Sequence, residues 1–231
     1  GEPTATRPPL FPLLLAGLYR VFGPSVEAAR MLQIVIGAGI VLLLYALARR
    51  IFSPSVALVA AALAAVNPSL VFISSYLLVE NLYIALLLAA LLVLAGALDR
   101  QPSWGRCVAG GLLFGASCLA RPNAFPFALF VIGSYMILGR GRAAARLARS
   151  AVLAAALAAA IVPWALRNEA RLGHFVPFTT HGGLTFYQGN NRLVWDEPSY
   201  RGGVAPLEAL PGLEKMRILA GEVERDREAW R

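Results

Sequence analysis

An all-α, polytopic bundle of membrane-spanning helices is the fold that this sequence predicts, and three observations predict it. The first is composition: 58% of the 231 residues are apolar and 15% are charged, with a mean hydropathy of +0.64, against roughly 25% charge in a soluble domain. The second is a series of charge-free windows at 31–48, 51–79, 81–98, 107–120, 122–139 and 150–166. Most reach the ~17–25 residues that carry a helix across ~30 Å of hydrocarbon, where backbone polar groups have to be satisfied within the segment. The third is the placement of arginine. If all six windows span, the short loops at 49–53, 99–106 and 139–149 share one side and hold Arg49, Arg50, Arg100, Arg106, Arg140, Arg142, Arg146 and Arg149. The opposite short loops, near 75–80 and 121–123, hold only Arg121. This asymmetry is the positive-inside pattern. The 107–120 window is short enough for either a steep span or a re-entrant piece, but removing it as a span moves the RGRAAARLAR loop to the wrong side, so six spans are expected.

Residues 1–25 then form an extracytoplasmic segment, 26–167 the helix bundle, and 168–231 an extracytoplasmic loop followed by an amphipathic helix. Within the first segment, RPPLFPLLLAGLYRVF at 7–22 is too short to span, and Arg20 with the terminal aromatics suits a helix lying at the interface. Ser53-Pro54 is a helix start, and Asn67-Pro68 predicts a kink or stop in the window that follows. The small residues Gly105, Gly110, Gly111, Gly115, Ala116 and Ser117 permit close helix approach. Over 206–231 the sequence reads as a charged amphipathic helix with Met216, Leu219 and Val223 on one face. The chain opens on Gly1, without an initiator Met or a leader pattern, and reads as an internal piece of a longer protein.

The basic pI of 10.2 does not call for nucleic acid. Residues 1–166 contain twelve arginines and four acids, which accounts for the whole net +8, and the remainder is balanced at nine against nine. No stripe of Lys/Arg with interleaved aromatics, the footprint of a nucleic-acid surface, is present. Cys107 and Cys118 are eleven residues apart in one window, hence ~16 Å apart along a helix axis. Within a continuous helix they cannot bridge, and each reads as a small buried hydrophobe.

Ionisable groups inside a bilayer are expensive and mark function by default. Glu80, Arg121, Arg167 and Asn168 all fall at expected outer helix ends, while the window interiors hold almost nothing polar beyond Gln33. That distribution describes a site at the outer membrane surface rather than a conduit, which would place polar groups or helix breaks near the midplane. Each residue also has a structural reading. Arg121 is a functional cation or a snorkelling end residue; Glu80 faces a pocket or answers the helix dipole; Arg167 binds a ligand or anchors the interface beside Trp164. The segment after the last window, HFVPFTTHGGLTFYQGNN, combines Gly182-Gly183, whose amides can approach a ligand closely, with Phe186 and Tyr187 as flat faces for a sugar ring. Gln188, Asn190 and Asn191 add paired donors and acceptors for hydroxyls.

Four stretches taken together, RPPLFPLLLAGLYRVFG at 7–23, LLVENLYIALLLAALL at 77–92, GGLLFGASCLARPNAFPF at 110–127 and PWALRNEARLGHFVPFTTHGGLTFYQGNN at 163–191, resemble the bacterial glycosyltransferase 39 superfamily. These are integral-membrane enzymes similar to protein O-mannosyltransferases and lipid A aminoarabinose transferases. The resemblance implies the C-type glycosyltransferase architecture, an inner-membrane location and an active face outside the cytoplasm. It also implies transfer of a sugar from a polyprenyl-phosphate donor to a protein, lipid or glycan acceptor, with inversion.

By the same resemblance Arg121 and Arg167 bind the donor phosphate region and Glu80 lines the catalytic pocket. Arg7, Asn123, His181 and Tyr187 join the substrate-binding set, and Asn168, Gln188 and Asn190 order the loop or contact sugar. An acid and a histidine hold a divalent metal in some relatives; Glu80 and His181 are the pair on offer here, and two ligands without a spacing rule are weak grounds for a metal. The family's catalytic Asp lies upstream of the Arg-Pro-Pro segment, where this sequence has only Glu2. The general base and later spans are therefore expected outside the chain, and the chain alone is expected to be inactive. Two other classes remain: a transporter or flippase for lipid-linked intermediates, with its ionisable groups at the midplane, and a purely structural membrane protein indifferent to Ala at Glu80, Arg121 or Arg167.

Overall fold

A computed structural model describes residues 4–97, 100–200, 203 and 221–229, and among these no strand occurs. The chain divides into two compact units, Pro8–Pro163 and a second composed of Gly1–Arg7 with Trp164–Arg231.

The regular elements described in the larger unit are all helices. It contains α1 (Leu10–Phe22), α2 (Val26–Ile51), α3 (Pro54–Ala65), α4 (Pro68–Ser75), α5 (Glu80–Leu94), α6 (Trp104–Ala120), α7 (Ala124–Leu138) and the first two-thirds of α8 (Ala143–Leu172). Boundaries follow local chemistry. Ser25, Ser53 and Ser103 cap α2, α3 and α6 by accepting from the amides of Ala28, Val56 and Arg106, and Asn67 accepts from Ser69 and Leu70 at the start of α4. Pro54 and Pro68 occupy first helical positions, where the missing amide has no intrahelical partner to lose. The expected kink at Asn67-Pro68 is present: α3 and α4 form a broken pair bent by 52°.

Among the described residues two helices, α2 and α8, are long and apolar enough to cross a bilayer, and a third span arises if α3 and α4 count as one. Helices α5, α6 and α7 are apolar but have 15, 17 and 15 residues, about 22–26 Å at 1.5 Å per residue. The charge-free windows and the helices differ at their ends. The expected loop at 139–149 is helical from Ala143, because AAARLAR consists of strong helix formers. At its other end α8 runs through Arg167 and Asn168 to Leu172, where Gly173 at φ 70° terminates it.

Packing is that of a protein solvated by lipid. Large apolar side chains such as Leu42, Val59 and Phe130 lie on the outside at 58–69% exposure, and the buried positions are small: Ala29, Ala57, Ala61, Ala90, Ala124 and Ala128. The glycine stripe of α6 works as expected. A Cβ on Gly115 would stand 2.5 Å from Ala160 Cβ and 2.8 Å from the Leu157 carbonyl oxygen, and one on Gly111 would run into the Leu153 carbonyl, so α6 and α8 touch backbone to backbone. Cys107 and Cys118 are free and buried.

The smaller unit has its own core of Ala5, Val176 and Val223, with Trp164 and Leu172 packed against it. Its helices are the end of α8, α9 (Gly182–Gly189), α10 (Arg192–Asp196) and α11 (Glu222–Ala229). The Met216–Leu219 part of the expected amphipathic helix lies outside the described residues, whereas Val223 is buried on α11.

Candidate functional site

In the larger unit, the end of the hairpin made by α5 and α6 gathers three of the sequence-predicted residues. Glu80 is the first residue of α5, Arg121 is the residue immediately after α6, and Asn123 immediately precedes α7. Because α5 and α6 pack side by side in opposite directions, the start of one meets the end of the other. Glu80 Oε1 lies 3.1 Å from Arg121 Nη1, with the side chains 26% and 42% exposed. The second carboxylate oxygen, Glu80 Oε2, is buried and has no hydrogen-bond partner among the described residues. One Nη of Arg121 is thus engaged, and the half-exposed guanidinium retains donors for an outside anion. Asn123 is exposed beside it.

What positions Glu80 is a buried amide cluster of which the sequence shows only Gln33. Gln33 and Asn81 are 1% and 0% exposed. Gln33 Nε2 donates to the Leu78 carbonyl at 2.5 Å, and Asn81 Nδ2 donates to the Gln33 carbonyl at 3.3 Å and to Ser74 Oγ at 3.1 Å. Gly37 leaves the room on α2 that Ser74 occupies. These bonds tie α2, α4 and the 76–79 turn together immediately before Glu80, so the carboxylate is presented from a fixed backbone. The signal in the sequence was the Glu80-Asn81 pair, whose second member is an amide that is costly to leave unbonded in lipid.

The smaller unit holds the remaining predicted residues. Arg167 donates from Nη1 to the Thr4 carbonyl at 3.0 Å and to Asn168 Oδ1 at 2.9 Å, and its guanidinium lies 4.8 Å from the Trp164 ring centroid. Asn168 is fully buried and donates to the Val176 carbonyl at 2.9 Å. Its side chain ties the end of α8 to the segment that follows. Trp164 Nε1 bonds the Phe178 carbonyl at 2.9 Å. Arg7 is exposed.

The glycine-rich segment is not an irregular loop beyond Gly182. It forms α9 and α10, with His181 just before α9, its carbonyl accepting from the Thr185 hydroxyl at 2.8 Å. The Gly183 amide that was expected to meet a ligand donates to Asp226 Oδ1 at 2.6 Å: an acid from α11 answers the positive end of α9. Tyr187 packs against Val194, Asn190 Nδ2 donates to the Phe186 carbonyl at 2.9 Å, and the Gln188 carbonyl accepts from Asn191 Nδ2 at 3.1 Å.

A second acid from α11 was invisible in the sequence. Glu222 accepts from Thr4 Oγ1 and the Ala5 amide, both at 2.6 Å, and from Thr6 Oγ1 at 2.9 Å. Burial works to raise its pKa, but these donors outweigh it and hold the carboxyl below its ordinary value. Residues 4–6 also run beside 179–180, with Thr180 N bonded to the Ala5 carbonyl at 3.1 Å and Thr179 Oγ1 to the Thr6 carbonyl at 2.6 Å.

Of the pair considered for a divalent metal, Glu80 belongs to the larger unit and His181 to the smaller. Among the described residues no group of three His, Cys, Asp or Glu side chains is placed to hold a metal ion, and the neighbour of Glu80 is a guanidinium.

Comparison with curated proteins and with solved structures finds no match. Residues 6–166, most of the chain, match the family model described as dolichyl-phosphate-mannose-protein mannosyltransferase. That stretch contains the Glu80–Arg121 pair, its amide support and the glycine stripe that sets the helix spacing; the chain belongs to this family and is, at that general level, a membrane glycosyltransferase.

Proposed function

We propose that the protein transfers a sugar from a polyprenyl-phosphate donor to an acceptor hydroxyl at the extracytoplasmic surface of a bacterial inner membrane, with inversion at the anomeric carbon. The single observation that carries this reading is the Glu80–Arg121 pair at the joined ends of α5 and α6. A lipid-tethered donor brings its phosphate to the interface, where helix ends lie. In the reaction the acceptor oxygen bonds to the anomeric carbon and the bond from that carbon to the phosphate oxygen breaks, leaving the electron pair on polyprenyl phosphate. Charge that grows on the leaving oxygen calls for a fixed cation. Arg121, pinned by one oxygen of Glu80 and half open, meets that requirement by charge-assisted bonds to phosphate. In this proposal Glu80 lines the catalytic pocket and holds the guanidinium in place, and the exposed Asn123 offers an amide for sugar hydroxyls.

The acceptor proton needs a carboxylate, and the superfamily resemblance puts that base before the Arg-Pro-Pro segment. Within the smaller unit this proposal assigns substrate binding to Arg7, Arg167, His181, Tyr187, Gln188 and Asn190, and to Asn168 the ordering of the segment after α8. Glu80 and Arg121 at helix ends, not helix centres, favour transfer over transport, since a transporter gathers such groups at the midplane.

The test offers radiolabelled polyprenyl-phosphate sugars to membranes that contain the intact protein. Label passing to an acceptor, and failing to pass with Arg121→Ala, supports the proposal. No transfer from any donor removes it.

A further inference from the structure

At the arginine-rich end of the larger unit lies a double cavity that the proposed transfer does not use. Arg50 in the last turn of α2, Arg100 between α5 and α6, and Arg106 in the first turn of α6 line a recess of about 250 Å³ together with Ala95 and Gly96. A larger cavity of about 710 Å³ shares Arg50, Ala95 and Gly96 with it and is otherwise walled mainly by apolar side chains, among them Leu47, Leu91, Phe130, Val131 and Leu138. Tyr135 lines this second cavity, is 4% exposed, and its hydroxyl has no hydrogen-bond partner among the described residues. A buried hydroxyl left unbonded is destabilising, and Tyr135 stands in the wall of a cavity large enough for a group from outside the chain.

The three arginines differ from their neighbours in the same region. Arg146 caps α7 by donating to the Ile137 and Gly139 carbonyls, both at 2.9 Å, and Arg149 donates to the Pro102 carbonyl at 2.9 Å while stacking 4.6 Å from the Trp104 ring. Topology alone would accept any basic residue in these loops. Arg50, Arg100 and Arg106 make no ion pair among the described residues and surround a space instead. Asp99, the acid nearest in sequence, lies outside the described residues, and the described lining of the recess brings three guanidiniums together.

We propose that the double cavity binds one anionic phospholipid of the surrounding bilayer. The phosphate sits on Arg50, Arg100 and Arg106, one acyl chain fills the apolar cavity, and the Tyr135 hydroxyl donates to a glycerol-ester carbonyl. The adjoining apolar space is what selects a lipid over a free phosphate, and the uncompensated positive charge selects an anionic headgroup over a zwitterionic one. Gly96, at φ 80°, turns the chain at the seam of the two cavities without adding a side chain there.

The test is native mass spectrometry of the intact protein in detergent, with phosphatidylglycerol, phosphatidylcholine or inorganic phosphate added. One phosphatidylglycerol is retained in preference to phosphatidylcholine, and each Arg→Gln change at Arg50, Arg100 or Arg106 lowers that preference about fivefold. Tyr135→Phe weakens retention several-fold, and Arg140→Gln with Arg142→Gln leaves it unchanged. Val131→Trp, which fills the apolar cavity while keeping every charge, abolishes lipid retention, so the question is answered even if the arginine variants fail to insert. Equal retention of the two lipids, a preference that survives loss of all three arginines, or displacement of the lipid by inorganic phosphate overturns the proposal. None of these readouts depends on sugar transfer.

Discussion

Glu80 Oε1 and Arg121 Nη1 meet at 3.1 Å where α5 begins and α6 has just ended. A half-exposed ion pair of this kind contributes at most about 1 kcal/mol to stability, whereas the proposed reaction needs the Arg121 cation. Arg121→Ala is therefore expected to leave the unfolding temperature in detergent almost unchanged while lowering sugar transfer about 10²–10³-fold, the loss typical of removing one transition-state donor. Glu80→Gln combined with Arg121→Ala should cost less than the two single losses added together, because partners in contact are not independent. Additive losses would show that the pair does not act as one unit.

The amide cluster behind Glu80 gives a second expectation. Asn81→Ala strips Ser74 Oγ and the Gln33 carbonyl of a buried donor, a loss of about 1–3 kcal/mol. It should also reduce transfer without altering any group that touches substrate, because Glu80 then starts from a looser backbone. Intact activity in a destabilised Asn81→Ala protein would separate the cluster from the site.

Helix spacing is testable at the glycines. Gly111→Ala forces a Cβ against the Leu153 carbonyl and to 2.7 Å from Ala156 Cβ, and overpacking of this kind costs about 1–3 kcal/mol. Gly133→Ala meets open space on α7 and should be neutral or slightly stabilising. Thermal unfolding in detergent distinguishes them, and equal behaviour would mean that α6 and α8 are not in backbone contact.

In the smaller unit the lowered pKa of Glu222 fixes a pH dependence. With the folded value below the ordinary carboxyl value of 4.5, the stabilisation is fully present above that value and is lost as pH falls through the folded pKa. Hydrogen exchange at the Ala5 amide, bonded to Glu222 Oε1, should accelerate selectively in acid relative to that at Gly173, whose amide bonds the Glu169 carbonyl. In Glu222→Gln that acid-dependent change should vanish.

Much of the bundle could be read from the chain because its cues are local. Ser53-Pro54 and Asn67-Pro68 specify a helix start and a break through backbone geometry alone, and a stripe of glycines announces close contact whatever the partner. Helix ends were less legible: a charge-free window ends at an arginine, yet AAARLAR and RNEARL continue α8 because helix propensity takes no account of where lipid stops. Within the candidate site, Glu80 and Arg121 stood out individually as charges beside apolar runs, but their meeting depends on how α5 returns as α6. Glu222 and Asp226 gave no signal, being two acids in a charged tail whose partners at Thr4–Thr6 and Gly183 are far away in sequence. The glycine pair had the reverse fate: its amide was readable as an acceptor's partner, but that acceptor comes from the chain itself.

The most direct measurement places a single cysteine at the exposed position next to the pair, Asn123→Cys, in a background where the buried Cys107 and Cys118 are replaced by Ala. A membrane-impermeant maleimide applied to sealed vesicles of either orientation then reports which face the site opens to, and added polyprenyl-phosphate sugar reports whether the donor covers it. Labelling from the extracytoplasmic face alone, slowed by the donor, is the predicted result. Labelling only from the cytoplasmic face, or a rate that the donor does not change, would contradict the account.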